Sequence, residues 1–328
     1  MDTLTHMALG AVVGEVVGGK ILGRRAAVAG MLIALLPDLD VAVQPFLDSA
    51  TSMLFHRGIT HSFLVWLIIS PLIGYLIWRH FRSTSRNAWY LVAISAWFSH
   101  IFIDGFNSYG TAWFLPFSSY RVAIGSIAVV DIFITLPLLF FLVALVLNRE
   151  KSIFRHSRWL LGYIAFYIVL SLALQHSVEA RAEVAFNDKG IVVDRIKAYP
   201  TPFIPLVWQV GGETDSSFVV ANQGVFKNSS WDFYPFRKNW NLLLPLVSNR
   251  EVARAIRFTQ GQYIVRQSSD TLFISDLRLA PLVLDGDSSQ FVVSFPISVR
   301  AGVITVGKAY PKRNFSKKTF SKWVGFAF

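Results

Sequence analysis

His100 and Asp104 stand four residues apart, which puts an imidazole and a carboxylate on one helical face, one turn from each other. Such a pair can share one metal ion or bridge two. Pro37-Asp38-Leu39-Asp40 sets two carboxylates just past a helix end, where local backbone can aim both at one cation. His56-Arg57-Gly58-Ile59-Thr60-His61-Ser62 adds two imidazoles around a glycine turn, and His6 adds another. Together His6, Asp38, Asp40, His56, His61, His100 and Asp104 exceed what one tetrahedral site uses, so they have room for two or three divalent ions, and the site is expected to hold one to three. Mixed nitrogen and oxygen donors favour Zn²⁺, with Mn²⁺ or Fe as alternatives. Taken singly, Asp38 or Asp40 would serve as a helix cap, and an isolated interfacial histidine as a hydrogen-bonded surface group. His80, His156 and His176, beside basic or polar segment ends, are read in that plain way. His100 differs because it lies about a turn inside an apolar helix, where ionisable groups are expensive and tend to be functional.

Arg57 cannot lose its proton and is flanked by ligand candidates, so it suits a phosphoryl or other oxyanion in a transition state. Its plain alternative is a headgroup anchor. Asp40 is counted with Arg57 as a catalytic candidate as well as a ligand. Thr60 and Ser62 either orient ligands from behind or cap the helix that follows. Asn107, with Gly110, Thr111 and Ser118, lies on the loop beside Asp104, where it would orient ligands or shape a substrate mouth. Asp131 is read as sitting inside an apolar segment among Val130, Ile132 and Phe133. There it needs a partner, and a metal or its surrounding polar groups would supply one.

The elements that must carry these residues read as an α-helical membrane bundle followed by a soluble, mainly β or α+β domain. A spanning helix needs ~20 mostly apolar residues. Residues 61–79, 88–104, 123–147 and 159–176 fit, and two shorter segments, about 4–19 and 26–43, precede them; the shorter two span fully or only half-way. Gly10, Gly14 and Gly18 recur every four residues, a small-residue face that admits another helix closely. Lys20, Arg24 and Arg25, then Arg79, Arg82 and Arg86, then Arg149, Lys151, Arg155 and Arg158 fall on one side if all six segments span. Only Arg57 and Arg121 oppose them in short loops, so the basic side is expected to be cytoplasmic. Every metal-ligand candidate then lands on the opposite, outer face, although orientation was assigned from Lys and Arg alone.

Composition agrees with that division. Hydrophobic residues make up 53% of 328 positions and mean hydropathy is +0.48, above the ~45–50% apolar of ordinary soluble domains. The apolar runs concentrate before Val178, so the expected domains are a membrane half, 1–178, and an extramembrane half, 179–328. Without cysteine, disulfides and thiol catalysis are excluded. Asp2, Glu15 and the lack of a basic leader argue against a cleaved signal peptide. A net charge of +11 suits an anionic membrane surface or a phosphate-bearing substrate, and nucleic acid poorly, because the basic residues are dispersed. In the second half, strands are expected at 190–198, 203–210, 217–223, 255–259, 263–267, 271–276, 291–295 and 302–307, with room for a helix in 239–256. That half carries no histidine cluster, glycine-rich phosphate loop or nucleophile elbow.

Asp2-Thr3-Leu4-Thr5-His6-Met7-Ala8-Leu9-Gly10, Leu36-Pro37-Asp38-Leu39-Asp40, His56-Arg57-Gly58-Ile59-Thr60-His61-Ser62 and Ser99-His100-Ile101-Phe102-Ile103-Asp104 together resemble the YdjM-type family of membrane-bound metal-dependent hydrolases. Gly110-Thr111, Pro116-Phe117-Ser118 and Asp131 look like that family's continuing pattern, with Ile132 where many members have Pro. The resemblance covers about residues 1–147. That family is in turn distantly similar to zinc-dependent phospholipase C and the fungal single-strand nucleases, which implies phosphoester hydrolysis. The resemblance carries over His6, Asp38, Asp40, His56, His61, His100 and Asp104 as metal ligands. The expected protein is therefore a multi-pass bacterial inner-membrane hydrolase, acting on a phosphoester such as a phospholipid or envelope substrate, with its site and second domain on the periplasmic side. The rival expectations are a metal-stabilised anchor without catalysis and, on Glu15 and Asp131 alone, a transporter.

Overall fold

A computed structural model describes residues 1–81, 85–147, 153–202, 205–226, 231–279, 289, 291–300 and 302–309. Arg82, Arg149, Lys151 and the first two residues of the expected strand at 203 lie outside the described residues. The chain divides into two compact units: 1–42, 56–124 and 129–171 form the first, and 43–55, 125–128 and 172–328 the second.

The first unit is helical. Helix α1 (Thr3–Leu22) starts at Asp2, whose carboxylate accepts from the Thr5 N–H, and stops at Gly23, which turns the chain at φ 60°. Helix α2 (Arg24–Ile33) returns along it. Their contact has no room for side chains: a Cβ at Gly10 would strike the Gly30 carbonyl, and one at Gly30 the Gly10 carbonyl. The chain then winds as a 3₁₀ segment, Pro37–Phe46. After helix α3 (Ser49–Phe55), which belongs to the second unit, a one-turn 3₁₀ helix, Ile59–His61, leads into α4 (Phe63–Phe81). Helix α5 (Arg86–Asp104) buries Trp89, Val92, Ala93, Ala96 and Trp97 on one face. His100 and Asp104 continue that face, so the periodicity that builds the core also turns both inward.

Asp131 is not inside an apolar segment. The expected segment 123–147 becomes helix only at α6 (Ile132–Leu147), and Asp131 caps its start, accepting from Phe133 N–H at 3.0 Å and from the Tyr167 hydroxyl at 2.9 Å. Helix α7 (Ile153–Asp188) supplies Tyr167 to the first unit and runs through Val178 without a break. Among the described residues three helical stretches are long and apolar enough to cross a membrane: Arg24–Phe46, in which α2 runs on into the 3₁₀ segment, Phe63–Phe81 and Arg155–Asp188. The six expected spans thus reduce to three that meet the criterion among the described residues. The sixteen residues of α6 reach only ~24 Å against a ~30 Å hydrocarbon layer. Helices α1 and α5 put much of their surface into protein contacts rather than towards lipid.

Among the described residues, the second unit holds two antiparallel four-stranded sheets. One orders β1 (Arg195–Pro200), β2 (Val207–Glu213), β3 (Ser217–Gly224) and β4 (Tyr234–Arg237), and the other β5 (Tyr263–Ser268), β6 (Thr271–Asp276), β7 (Ser294–Arg300) and β8 (Val303–Val306). The strand expected at 255–259 is instead the end of α8 (Arg250–Phe258). Asn249 caps that helix through Glu251 and Val252 N–H groups, and Val252, Ala255 and Phe258 are buried three apart. A short apolar window at the end of an amphipathic helix carries too few residues to separate a helical period from a strand's.

Candidate metal centre

Packing of α2 against α5 is what begins the site. It brings the Ala34 carbonyl, just past α2, to 2.6 Å from His100 Nδ1 on α5. A carbonyl only accepts, so Nδ1 carries the proton and His100 Nε2 keeps its lone pair. His61 is set the same way by a different route. The Thr60 hydroxyl donates its one proton to Asp40 Oδ2 at 2.9 Å, leaving its oxygen to accept from His61 Nδ1 at 3.0 Å. His61 Nε2 therefore also presents a lone pair.

These two Nε2 atoms face each other at 3.0 Å. Asp38 Oδ1 lies 3.4 Å from each, and Asp104 Oδ2 lies 3.6 Å from His61 and 3.7 Å from His100. Four acceptors thus converge with no proton assigned between them; Asp38 Oδ1 is buried without a hydrogen-bond donor, and Asp104 Oδ2 has the Arg57 guanidinium as its ion-pair partner. Ligands held by one tetrahedral zinc at ~2.0–2.1 Å stand about 3.3 Å apart. The observed separations bracket that value, so a buried His/Asp cluster here is compatible with a metal ion. Burial, with His100 alongside, pushes the His61 imidazole down to about 4, keeping it neutral, as a ligand must be.

The other expected residues surround this core. Asp38, Asp40 and His56 form a second potential ligand group that shares Asp38. Within it His56 Nδ1 donates to Asp40 Oδ1 at 2.8 Å. His6 stacks on His100 with ring centroids 3.6 Å apart, and its Nε2 lies 3.2 Å from Asp104 Oδ1. The Met1 amino group also donates to Asp104 Oδ1. Arg57 is buried at φ 59°, a left-handed conformation uncommon for a side chain of this size, and Asp40 Oδ2 receives its N–H at 3.2 Å. Its guanidinium Nε lies 3.0 Å from Asp104 Oδ2, and its Nη1 donates to Asn107 Oδ1 at 2.7 Å. Asn107 Nδ2 donates to Asp104 Oδ1 at 3.3 Å. Ser62, by contrast, binds Ile59 O and Val65 N–H and serves the start of α4.

Two contributors went unnoticed in the sequence. Tyr109 lies over the Arg57 guanidinium at 4.8 Å and edge-on to His56 at 5.7 Å. Arg121, counted as a loop charge, is buried and donates to the His56 and Gly110 carbonyls at 2.9 and 2.8 Å, tying the two loops together. Tyr109 beside the Gly110-Thr111 turn was the available signal; Arg121, ten residues beyond Thr111, carried none.

The class that emerges is a helical membrane protein with a buried, metal-compatible His/Asp centre. The sequence profile of the YdjM inner membrane protein family matches residues 1–178, and the chain belongs to that family. An uncharacterized protein of Bacillus subtilis (strain 168), YfhP, is 35% identical over 144 residues, 41% of this chain and 43% of that one. The inner membrane protein YbcI of Escherichia coli (strain K12) is 33% identical over 121 residues, 36% of this chain and 69% of that one. No solved structure matches. The family and the apolar helices together place the protein in a membrane.

Proposed function

We propose that the protein is a membrane-bound hydrolase using a divalent metal, zinc by its donor set, to cleave a phosphoester. The convergence of the His61 and His100 Nε2 lone pairs on Asp38 Oδ1 and Asp104 Oδ2 carries this reading. A bound divalent ion would lower the pKa of a water towards ~7 and polarise the ester oxygen. His61, His100 and Asp38 would hold it. Thr60 and the Ala34 carbonyl lock both imidazoles in the ligating tautomer, as partners behind a metal site do. Asp104 would remain against Arg57, keeping one tetrahedral corner free, and Arg57 would present its charge to the anionic centre. Asp40 holds His56 and the Arg57 backbone in place. We place the centre on the periplasmic side of the inner membrane, with the second unit.

A second reading draws on the same geometry. If Asp104 leaves Arg57 and closes the tetrahedron, the site is full and serves a metal-stabilised anchor without catalysis. Transport has no comparable support, since Asp131 is accounted for as a helix cap bonded to Tyr167.

Elemental analysis of the detergent-purified chain, paired with cleavage of a generic phosphodiester, tests the proposal. The hydrolase reading expects about one or more metals per chain and turnover that Arg57→Ala lowers at least a hundredfold with metal content unchanged. Metal without turnover on any phosphoester supports the anchor. Full metal content in both His61→Ala and His100→Ala would refute the ligand assignment.

A further inference from the structure

The loops that turn their polar residues into the centre turn apolar ones outwards. Between buried Asp40 and its partner Asp38, Leu39 is 62% exposed, and Val41 follows at 45%. Ile59 is exposed beside buried His61. The loop after Asn107 shows Phe114, Phe117 and Tyr120 to the outside, Phe117 at 84%. The segments that carry them are tied together around the centre. Asp40 accepts from the Arg57 N–H and the Thr60 hydroxyl, Arg57 O accepts from Ala112 N–H at 3.0 Å, and Arg121 holds the His56 carbonyl.

A site serving a dissolved phosphoester would ordinarily be rimmed by polar groups, because contiguous exposed apolar surface is unfavourable in water and marks an interaction face. Here the rim belongs to the unit that contains the apolar helix Phe63–Phe81, whose first residue follows His61 by two positions. Apart from Ser118, Ser119 and the Tyr120 hydroxyl the exposed side chains are aliphatic or aromatic, and none is acidic or basic, as suits an acyl-chain boundary.

Resting on the hydrolase reading, we propose that the ligand of this centre is a membrane-resident amphiphile. Its aliphatic chain lies against Leu39, Val41, Ile59 and Phe117 while its anionic ester reaches the buried imidazoles.

The test uses the full zinc-loaded chain in detergent micelles and two diesters with one leaving group, p-nitrophenyl methyl phosphate and p-nitrophenyl hexadecyl phosphate. The hexadecyl diester should be cleaved at least tenfold more efficiently, and Leu39→Asn with Phe117→Asn should collapse that ratio towards one. A parallel arm measures hexadecyl phosphate binding to the metal-free chain against inorganic phosphate, and the double variant should weaken hexadecyl phosphate binding at least tenfold. Equal cleavage of both diesters, or a ratio the double variant leaves intact, overturns the lipid proposal alone, since partition into micelles would then explain any preference. Conversion of a dimer to a monomer by the double variant, with the ratio kept, would assign the rim to a protein interface and also overturn it. If neither diester is cleaved, the hydrolase reading fails and the substrate claim with it, while the binding arm decides whether the rim holds an amphiphile.

Discussion

Two buried clusters, Asp276 with Arg278 in the second unit and the His/Asp centre in the first, hold charge in opposite ways. In the second unit Asp276 and Arg278 are both shielded from solvent and mutually complete. Asp276 accepts from the Arg278 backbone N–H at 2.9 Å and from Nη2 at 2.7 Å, and Nη2 also donates to the Phe258 carbonyl at 2.6 Å. In the first unit, buried Asp104, His6 and partly buried Asp38 retain acceptor or ring atoms with no hydrogen-bond partner. A buried ion pair is tolerated when its hydrogen bonds close, whereas acceptors left facing one another lose hydration and gain nothing. Completeness marks a structural pair, and organised incompleteness marks a place for a cation.

That contrast can be broken most forcefully at the ligands. His61→Ala or His100→Ala should lower metal content below about a tenth of wild type and phosphodiester turnover by at least ~10³-fold, as loss of a first-rank catalytic group does. Elemental analysis and turnover read both. Metal should remain bound when Asp276→Ala is introduced, while the second unit loses roughly 3–5 kcal/mol of stability, because Arg278 is left buried and unpaired. Denaturant unfolding monitored in that unit checks it, and a loss of metal instead would erase the distinction between the two clusters. Thr60→Val should weaken metal affinity ~10–100-fold by freeing the His61 tautomer, and Thr60→Ser should restore it. Competition with a chromogenic chelator measures the change. The smallest effect concerns Tyr199, which burial pushes up to about 12 despite nearby Arg278. Its folded pKa lies above the unfolded ~10, so its contribution is whole below pH 10 and fades as pH rises towards 12. Tyr199→Phe should flatten the alkaline decline in melting temperature over that window.

Much of the centre was legible because its residues sit in short local patterns. The four-residue step from His100 to Asp104 is a helical repeat, and α5 needed only to form for both to face inward. Asp131 was misplaced for a related reason. Hydropathy runs smoothly across 123–147, but the N-cap geometry of a carboxylate bonded to Phe133 N–H is decided by where α6 begins. Ala255–Thr259 failed similarly, since a five-residue window does not distinguish a strand from the last turn of α8.

Sequence alone determined which side chains were available, which of them share a helical face, and that apolar helices carry them, because residue type and period act over a few neighbours. Only tertiary structure decided the proton positions. Ala34 reaches His100 through the packing of α2 on α5, and Asp40 reaches His61 through Thr60, contacts that join segments distant in the chain. Whether an imidazole is a hydrogen-bond donor or a metal ligand depends on which nitrogen is occupied, and that follows from what the fold places beside the other one.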